Sequence, residues 1–424
     1  MTTLTHRLAA LTLGVALLAS AALAQTNRID TVSPMAPELA RYGTYAIGVR
    51  TIPVTDANRI DIVHTKEGGP TVRYDRTLPL EVWYPAALRA GQRAGGDYAA
   101  VTREPSITAT LHGQAVRDAD PLTAEGAFPL VIVSHGYPGN RFLMSHLCEN
   151  LASKGFVVVA IDHKESTYDD QQAFASTLYN RPFDQLFVLN AVAKLGTRGS
   201  GSFLAGIVDD SRTGIVGYSM GGYGLLNVIG GGYSDASVTA NGAPPNRLLN
   251  DRAASNPKYH AEGDARIRAA IAVAPWGMQT GFWDAVGLSG IRTPVLFVAG
   301  SADSVAGYEK GTKAVFEGAV NADRYLLTFI NANHNAGAPI PAPVETYAYS
   351  ERMKSYPFVH YADAVWDSVR MNNILDHFAT AYFNLHLKNQ SEMAAYLASP
   401  ASGDPKGFQP RSSVGLTLEH RPAR

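Results

Sequence analysis

The sequence has very little cysteine and no excess of either charge. Cys148 is the single cysteine among 424 residues, which excludes an intramolecular disulfide and a cysteine-rich zinc or iron–sulfur site. Lysine and arginine total 36, and aspartate and glutamate total 37, so the formal net charge at pH 7 is -1. A nearly neutral chain has no overall basic field to attract nucleic acid or an anionic membrane. We therefore expect no nucleic-acid partner.

One long apolar run stands near the start of the sequence, at residues 8–24, and it contains no charged residue. It follows Arg7 and ends in Ala22-Leu23-Ala24, the small-x-small pattern of a signal peptidase site. A run of this length is at the short limit for crossing a bilayer, so an uncleaved membrane anchor is the alternative. We expect a signal peptide over 1–24, export to the periplasm or the medium, and no stable membrane anchor.

The remaining chain has the composition and the rhythm of a globular α/β protein. Hydrophobic residues make up 46% and charged residues 17%, which excludes overall disorder. Continuous apolar runs typical of buried strands alternate with segments of helical spacing. The predicted strands are 44–54, 78–84, 128–134, 155–161, 213–217, 267–274, 293–299 and 324–330, and the predicted helices are 141–153, 182–195, 220–229 and 363–387. This alternation predicts a mostly parallel central sheet with helices on both faces.

The composition also changes along the chain in a way that indicates domain limits. We predict an N-terminal linker at 25–40, a single domain at 41–390 and a Pro/Gly/Ser-containing tail at 391–424. Two stretches interrupt the alternation of strands and helices, at about 230–264 and at 335–357. The first is rich in Gly, Asn, Pro and Ser, and the second has four prolines and three tyrosines. Both are expected to be loop insertions.

The segment Gly217-Tyr218-Ser219-Met220-Gly221 carries the chemistry. It has the pattern G-x-S-x-G and stands between a predicted strand and a predicted helix. In a sharp strand-to-helix turn the serine backbone is strained and only small neighbours fit, which the two glycines satisfy. The turn places the serine hydroxyl above the carboxyl edge of the sheet, so Ser219 is the predicted nucleophile. A Gly-Ser turn without chemistry is the alternative.

A serine nucleophile needs a base, and the base needs a group that orients it. Asp303 follows one predicted strand and His334 follows the next, so both stand on loops at the edge of the sheet that carries Ser219. They are the predicted orienting acid and the predicted base. Asp284 is the rival acid, although it follows no strand, and His360 is the rival base.

Of three other histidines, one is interpreted as structural and two as solvated or core side chains, and the oxyanion is assigned to two backbone N–H groups. His163 precedes the nucleophile, and His377 and His386 lie in the last predicted helix. An oxyanion hole needs two backbone N–H groups, one of them from the residue after the nucleophile, Met220. The loop after the strand 128–134 supplies the other, and Tyr137 is the predicted donor because the following proline has no N–H.

These motifs together resemble those of a known group of enzymes. The stretches are His135–Asn140 (HGYPGN), Gly217–Gly222 (GYSMGG), Ala274–Gly277 (APWG), Ala299–Asp303 (AGSAD) and Asn331–His334 (NANH). They resemble serine α/β-hydrolases of the dienelactone hydrolase and platelet-activating-factor acetylhydrolase group, to which cutinase-like polyesterases are related. The stretches EVWYP at 81–85 and RPFD at 181–184 are similar to the acetylhydrolase branch.

The resemblance implies an α/β-hydrolase fold and a role for one more residue. Dienelactone hydrolases proper have a cysteine nucleophile, whereas here the turn holds Ser219 and Cys148 lies in a predicted helix, which argues against dienelactone as the substrate. In the polyesterases a tryptophan after the corresponding strand flanks the substrate cleft, and Trp276 matches that position. A core tryptophan is the alternative.

We therefore expect a carboxylic ester hydrolase that works through an acyl-enzyme, with small-molecule or polymeric esters as substrates and with no metal or organic cofactor. A serine exopeptidase on the same fold and a non-catalytic binding protein are the alternatives. We also expect Tyr347, Tyr349 and Tyr356 of the second insertion to form part of the substrate wall, because the insertion begins directly after His334.

Overall fold

The computed structural model describes residues 26–259, 263–400 and 402–424, so the predicted signal peptide lies outside the described residues. Within these ranges, no helix combines the length and the apolar character that a membrane crossing requires. The described chain is built around one large sheet with a small two-stranded sheet beside it.

The large sheet has eleven strands in the described part of the chain. Its strands are β1 (Ala46–Ile60), β2 (Arg73–Ala87), β5 (Val116–Arg117), β6 (Asp120–Pro121), β7 (Phe128–Ser134), β8 (Val157–Ile161), β9 (Val208–Tyr218), β10 (Ile267–Val273), β11 (Val295–Gly300), β12 (Arg324–Phe329) and β13 (Leu416–Arg421). The small sheet is the antiparallel hairpin of β3 (Gly96–Val101) and β4 (Thr108–Gly113).

The strand order of the large sheet is β13-β12-β11-β10-β9-β7-β8-β2-β1-β5, with β6 paired to β2. Strands β7 to β12 are all parallel, whereas β1, β2 and β13 run antiparallel to their main neighbours. The carboxyl ends of β9, β11 and β12 therefore meet at one edge of the sheet. The predicted α/β architecture with a mostly parallel sheet is confirmed.

Helices cover both faces of the sheet. They are α1 (Ser145–Ala152), α2 (Phe174–Gly196), α3 (Met220–Val228), α4 (Asp235–Val238), α5 (Ala285–Ser289), α6 (Lys313–Gly318) and α7 (Ser368–Lys388). Since side chains alternate along a strand, β7 supplies both cores: Val131 and Val133 pack with α1 and α7, and Leu130 and Ile132 pack with α2 and α3. A sheet buried on both faces explains why its central strands are continuous apolar runs.

Helix α2 begins two turns earlier than the sequence predicts. The predicted start near Pro182 is wrong, because the helix begins at Phe174 and Pro182 lies inside it. Proline removes one backbone hydrogen bond from a helix interior. The preceding turns are buried, with Leu178 at 3% and Arg181 at 1% exposure, so tertiary contacts outweigh that local cost.

The sheet also continues past the predicted domain end at residue 390. Strand β13 pairs antiparallel with β12 from Leu416 to Arg421 and forms the edge of the sheet. The predicted linker contributes as well, since the N–H of Leu39 donates a hydrogen bond of 3.1 Å to Nδ1 of His377 in α7. Segments on both sides of 41–390 therefore pack into the same folded unit.

Candidate active site

Ser219 occupies a strained turn between β9 and α3. Its φ of 53° and ψ of -113° lie in a region that residues with a Cβ rarely adopt. A Cβ on Gly217 would lie 2.4 Å from the carbonyl oxygen of Gly221, and a Cβ on Gly221 would lie 2.0 Å from the carbonyl oxygen of Ser134. Only glycine fits at either position, so the G-x-S-x-G pattern follows from the geometry of the turn.

The structure brings Ser219, His334 and Asp303 into one hydrogen-bonded chain. Nε2 of His334 lies 2.9 Å from the Oγ of Ser219. Its Nδ1 lies 2.9 Å and 3.1 Å from the two carboxylate oxygens of Asp303. Because the imidazole contacts the carboxylate through Nδ1, the neutral ring leaves Nε2 free to accept the proton of the serine hydroxyl.

Further hydrogen bonds hold the carboxylate of Asp303. Its Oδ1 accepts the backbone N–H groups of Val305 at 2.8 Å and Ala306 at 2.9 Å. Burial by itself would raise the pKa of Asp303, but the hydrogen bond and charge of His334 and these two N–H groups hold the pKa below its ordinary value. The carboxylate is therefore ionised at neutral pH and is fixed in direction.

The loop that carries His334 is fastened by residues that the sequence analysis did not single out. The Oδ1 of Asn333 accepts the N–H of His334 at 2.9 Å and the N–H of Ser304 at 2.9 Å. The N–H of Asn333 donates to Asp363 at 2.7 Å. Asn333 thus ties the loop of the histidine to the loop of Asp303, and its place inside the NANH motif was the available signal.

The predicted oxyanion donors belong to the loop after β7 and to the residue that follows the serine. A Cβ on Gly136 would lie 3.3 Å from the Cβ of Ser219, so the loop after β7 runs close to the nucleophile. Across the described ranges, the backbone N–H groups of Tyr137 and Met220 have no protein acceptor. An oxyanion hole requires N–H groups that are free to donate, so Tyr137 and Met220 stay the predicted donors.

Arg181 holds the carbonyl side of this loop. Its buried guanidinium, carried by helix α2, donates to the carbonyl oxygens of His135 and Gly136 and to the hydroxyl of Ser166. The Gly136 carbonyl oxygen also accepts a hydrogen bond of 2.6 Å from Nδ1 of His135. In a trans peptide the N–H points away from the C=O, so fixing the Gly136 carbonyl fixes the direction of the Tyr137 N–H.

A buried polar network supports the loop from below. His163 lies 2.8 Å from the hydroxyl of Ser134 through Nε2 and 2.9 Å from Asp184 through Nδ1. Asp184 in turn forms a buried ion pair with Arg76, at 2.9 Å. Burial, reinforced by the charge of Arg181, lowers the pKa of His163 to about 3, so this histidine is neutral. Ser134 is fully buried and cannot meet a substrate.

A cavity of about 640 Å³ opens onto Ser219 and His334. The second insertion and the residues after it form one wall, but its exposed tyrosines do not. Tyr347, Tyr349 and Tyr356 are 47% to 57% exposed and pack against Phe358 or each other. The wall residues of this region are Asn335, Met353, Ser355, Phe358, Val359, His360, Ala362, Asp363 and Ala364. The prediction that the tyrosines form the wall is wrong for this cavity.

The rival candidates have other partners. Nε2 of His360 lies 2.8 Å from the hydroxyl of Tyr168, and burial together with the charge of Arg103 lowers its pKa to about 3. Asp284 accepts the N–H of Gly287 and caps α5. Cys148 is buried in α1, which raises the pKa of its thiol well above the ordinary value. The described residues contain no group of three His, Cys, Asp or Glu side chains placed to hold a metal ion.

Trp276 lies beside the nucleophile but in an aromatic cluster. Its backbone N–H donates to the carbonyl oxygen of Ser219 at 3.1 Å. Its ring is half-buried and lies 5.4 Å from that of Phe174 and 5.5 Å from that of Phe282. Phe174 packs at 5.1 Å against Tyr137, so one row of rings connects Trp276 to the oxyanion loop. A contact of Trp276 with substrate stays a prediction.

Comparisons with known proteins find the group that the motifs resemble. The family described as "PETase: PET hydrolase-like" matches residues 88–244. Cutinase est1 of Thermobifida alba is 25% identical over 49% of this chain and 53% of that protein. Bis(hydroxyethyl) terephthalate hydrolase of Streptomyces coelicolor is 27% identical over 50% of this chain and 52% of that protein. The chain thus spans about half the length of these curated relatives.

A solved structure matches over nearly the whole chain. Ferulic acid esterase from Streptomyces cinnamoneus superposes with a TM-score of 0.57 at 20% sequence identity, over 92% of this chain and 99% of that one. The α/β-hydrolase fold is confirmed by this likeness. The resemblance to cutinase-like polyesterases is confirmed by the sequence comparisons.

Proposed function

We propose that the protein is an exported serine carboxylic ester hydrolase that works through an acyl-enzyme. The observation that carries the proposal is the hydrogen-bonded chain from Asp303 through His334 to Ser219, at a strained turn that opens into a cavity. The likeness to cutinases, to a bis(hydroxyethyl) terephthalate hydrolase and to a ferulic acid esterase supports an ester as the substrate. The apolar run at 8–24 supports export.

In the first half of the reaction, the hydroxyl of Ser219 attacks the ester carbonyl carbon while His334 takes its proton at Nε2. The ionised carboxylate of Asp303 stabilises the imidazolium and holds it in position. Negative charge develops on the carbonyl oxygen, and the N–H groups of Tyr137 and Met220 donate hydrogen bonds to it. His334 then gives its proton to the leaving alcohol, and the acyl group stays on Ser219.

In the second half, water enters the position that the alcohol has left. His334 removes a proton from this water, which attacks the acyl-enzyme and forms a second tetrahedral intermediate in the same oxyanion hole. Collapse of the intermediate releases the carboxylic acid and returns the proton to Ser219. The side chains named here account for each proton transfer.

A serine exopeptidase would have the same three residues, so the substrate decides between the two activities. The test compares p-nitrophenyl acetate and butyrate with aminoacyl p-nitroanilides, using wild type, Ser219→Ala and Ser355→Ala. Ser355 is a serine on the same cavity wall and serves as the matched control. We expect ester hydrolysis that Ser219→Ala abolishes and Ser355→Ala retains. Faster cleavage of the anilides would favour the peptidase, and activity in Ser219→Ala would contradict the proposed nucleophile.

A further inference from the structure

Arg103 lines the same cavity as Ser219 and His334. It is half-buried, in the turn between β3 and β4. Throughout the part of the chain that the structure describes, its guanidinium has no hydrogen bond, ion pair or ring stacked against it. Arginine carries five N–H donors in a planar fork that matches a carboxylate. No described residue occupies those donors at the cavity wall.

The backbone of Arg103 is anchored on both sides. Its N–H donates to the hydroxyl of Tyr361 at 2.9 Å. The next residue, Glu104, accepts from Arg352 at 2.9 Å and from the hydroxyl of Ser350. The turn is closed by a hydrogen bond of 2.9 Å from the N–H of Thr102 to the carbonyl of Ile107. The hairpin, the second insertion and Tyr361 therefore fix the backbone from which the Arg103 side chain extends.

The other ionisable groups on the cavity wall are already engaged. The carboxylate of Asp363 accepts the N–H groups of Asn333, Val365 and Trp366 at 2.7 to 2.9 Å. His334 is committed to Asp303 and Ser219. His360 contacts Tyr168 and is uncharged at neutral pH, since burial lowers its pKa to about 3. Among the described residues that line the cavity, Arg103 is thus the cation whose donors are open, whereas Asp363 is an anion whose oxygens are occupied by N–H groups.

We propose that Arg103 binds a carboxylate group of the substrate, so that the enzyme prefers esters that carry a second, ionised carboxyl group. This inference rests on the proposed esterase function and names its substrate class. Half-esters of dicarboxylic acids carry the carboxylate on the acyl side, and esters of hydroxy acids carry it on the alcohol side. Apolar wall residues such as Phe358 and Val359 suit a hydrocarbon chain or ring between the carboxylate and the ester.

The first experiment measures kcat/KM for matched pairs of charged and neutral esters. One pair is monomethyl and dimethyl adipate, and the other is 4-acetoxybutyrate and its N-methylamide. The variants are Arg103→Gln, Arg103→Glu and, as a control, Arg89→Gln, an arginine whose side chain is 70% exposed and pairs with Asp120. We expect wild type to favour the charged member of at least one pair by about tenfold, as a charge-assisted hydrogen bond would give.

We expect Arg103→Gln to abolish that ratio, Arg103→Glu to invert it, and Arg89→Gln to leave it unchanged. The pair that shows the preference tells on which side of the ester the carboxylate lies. A wild-type ratio near one in both pairs, or an unchanged ratio in Arg103→Gln, would overturn the inference while ester hydrolysis itself stands.

A binding measurement keeps the inference testable if no ester is hydrolysed. Monomethyl adipate is titrated calorimetrically into Ser219→Ala and into the double variant Ser219→Ala/Arg103→Gln. We expect about tenfold weaker binding in the double variant, and weak binding of dimethyl adipate to both proteins. Equal affinities of the two variants for the half-ester would contradict a carboxylate contact with Arg103, whatever the fate of the proposed reaction.

Discussion

Among single residues, Arg181 is unusual because it is a buried cation for which the structure gives no direct ion pair to any described residue. It is 1% exposed, and its described hydrogen-bond acceptors are two backbone carbonyls and one hydroxyl. Burial lowers its pKa to about 9, although the charge of Asp184 acts in the opposite direction. A buried cation without a direct ion pair is unfavourable for stability. We infer that this cost is retained because Arg181 orients the peptide that carries the Tyr137 N–H.

Replacing Arg181 by methionine is expected to lower kcat by about tenfold to a hundredfold while KM changes little, because an oxyanion donor acts mainly in the transition state. Affinity for a boronic acid analogue of the tetrahedral intermediate should fall in parallel with kcat. Arg181→Lys should recover part of both.

Arg324→Met is the matched control for that experiment. Arg324 is also buried and donates to backbone carbonyls, those of Phe316, Ala322 and Pro422, at the opposite end of the sheet. Its replacement should reduce stability and leave analogue affinity intact. A folded Arg181→Met protein with wild-type kcat would contradict the positioning role.

At the scale of elements, the central strands and the loops after them could be predicted because their signals are local. Each of β7 to β12 contains a buried, mostly apolar run, and the candidate residues stand on the loops that follow β9, β11 and β12. The order of parallel strands brings those loops together, so the order Ser219, Asp303, His334 along the chain was sufficient to nominate the three residues.

The elements that could not be predicted from the sequence depend on contacts between residues that are far apart in the chain. The first turns of α2 are stabilised by burial despite Pro182, which local propensity cannot show. Strand β13 is a half-exposed edge strand that pairs with β12. It contains no continuous apolar run from which the sequence could predict it. Arg103 lines the cavity from a hairpin that carries none of the motifs, and its backbone N–H is bonded to the hydroxyl of Tyr361.

At the scale of the whole molecule, buried neutral histidines link stability to pH. Burial, mainly, lowers the pKa of His163, His360 and His377 to about 3 each. The pKa of a histidine in the unfolded chain is about 6.5. Between about pH 3 and this value, the unfolded chain therefore binds protons that the folded chain does not. Each such group therefore lowers the free energy of unfolding as the pH falls from about 6.5 towards 3.

Substituting His377, which is remote from the cavity, isolates one of these contributions. In His377→Asn, the slope of unfolding free energy against pH between pH 6 and 4 should be smaller than in wild type by up to about 1.4 kcal/mol per pH unit. Urea denaturation at a series of pH values measures this slope. His64→Asn is the control, since the side chain of His64 is 72% exposed. Parallel slopes for His377→Asn and wild type would show that His377 titrates alike in both states.

The proposed reaction requires that Ser219 carries the acyl group during turnover. Its most direct test mixes the full chain with p-nitrophenyl butyrate, quenches the reaction in acid within milliseconds to seconds, and locates the butyryl group by mass spectrometry of the digested protein. We expect a burst of p-nitrophenol close to one equivalent of enzyme when deacylation is slower than acylation, and a butyryl group on the peptide that contains Ser219. Hydrolysis with the acyl group on any other residue, or with Ser219 unmodified at every quench time, would contradict the proposed reaction.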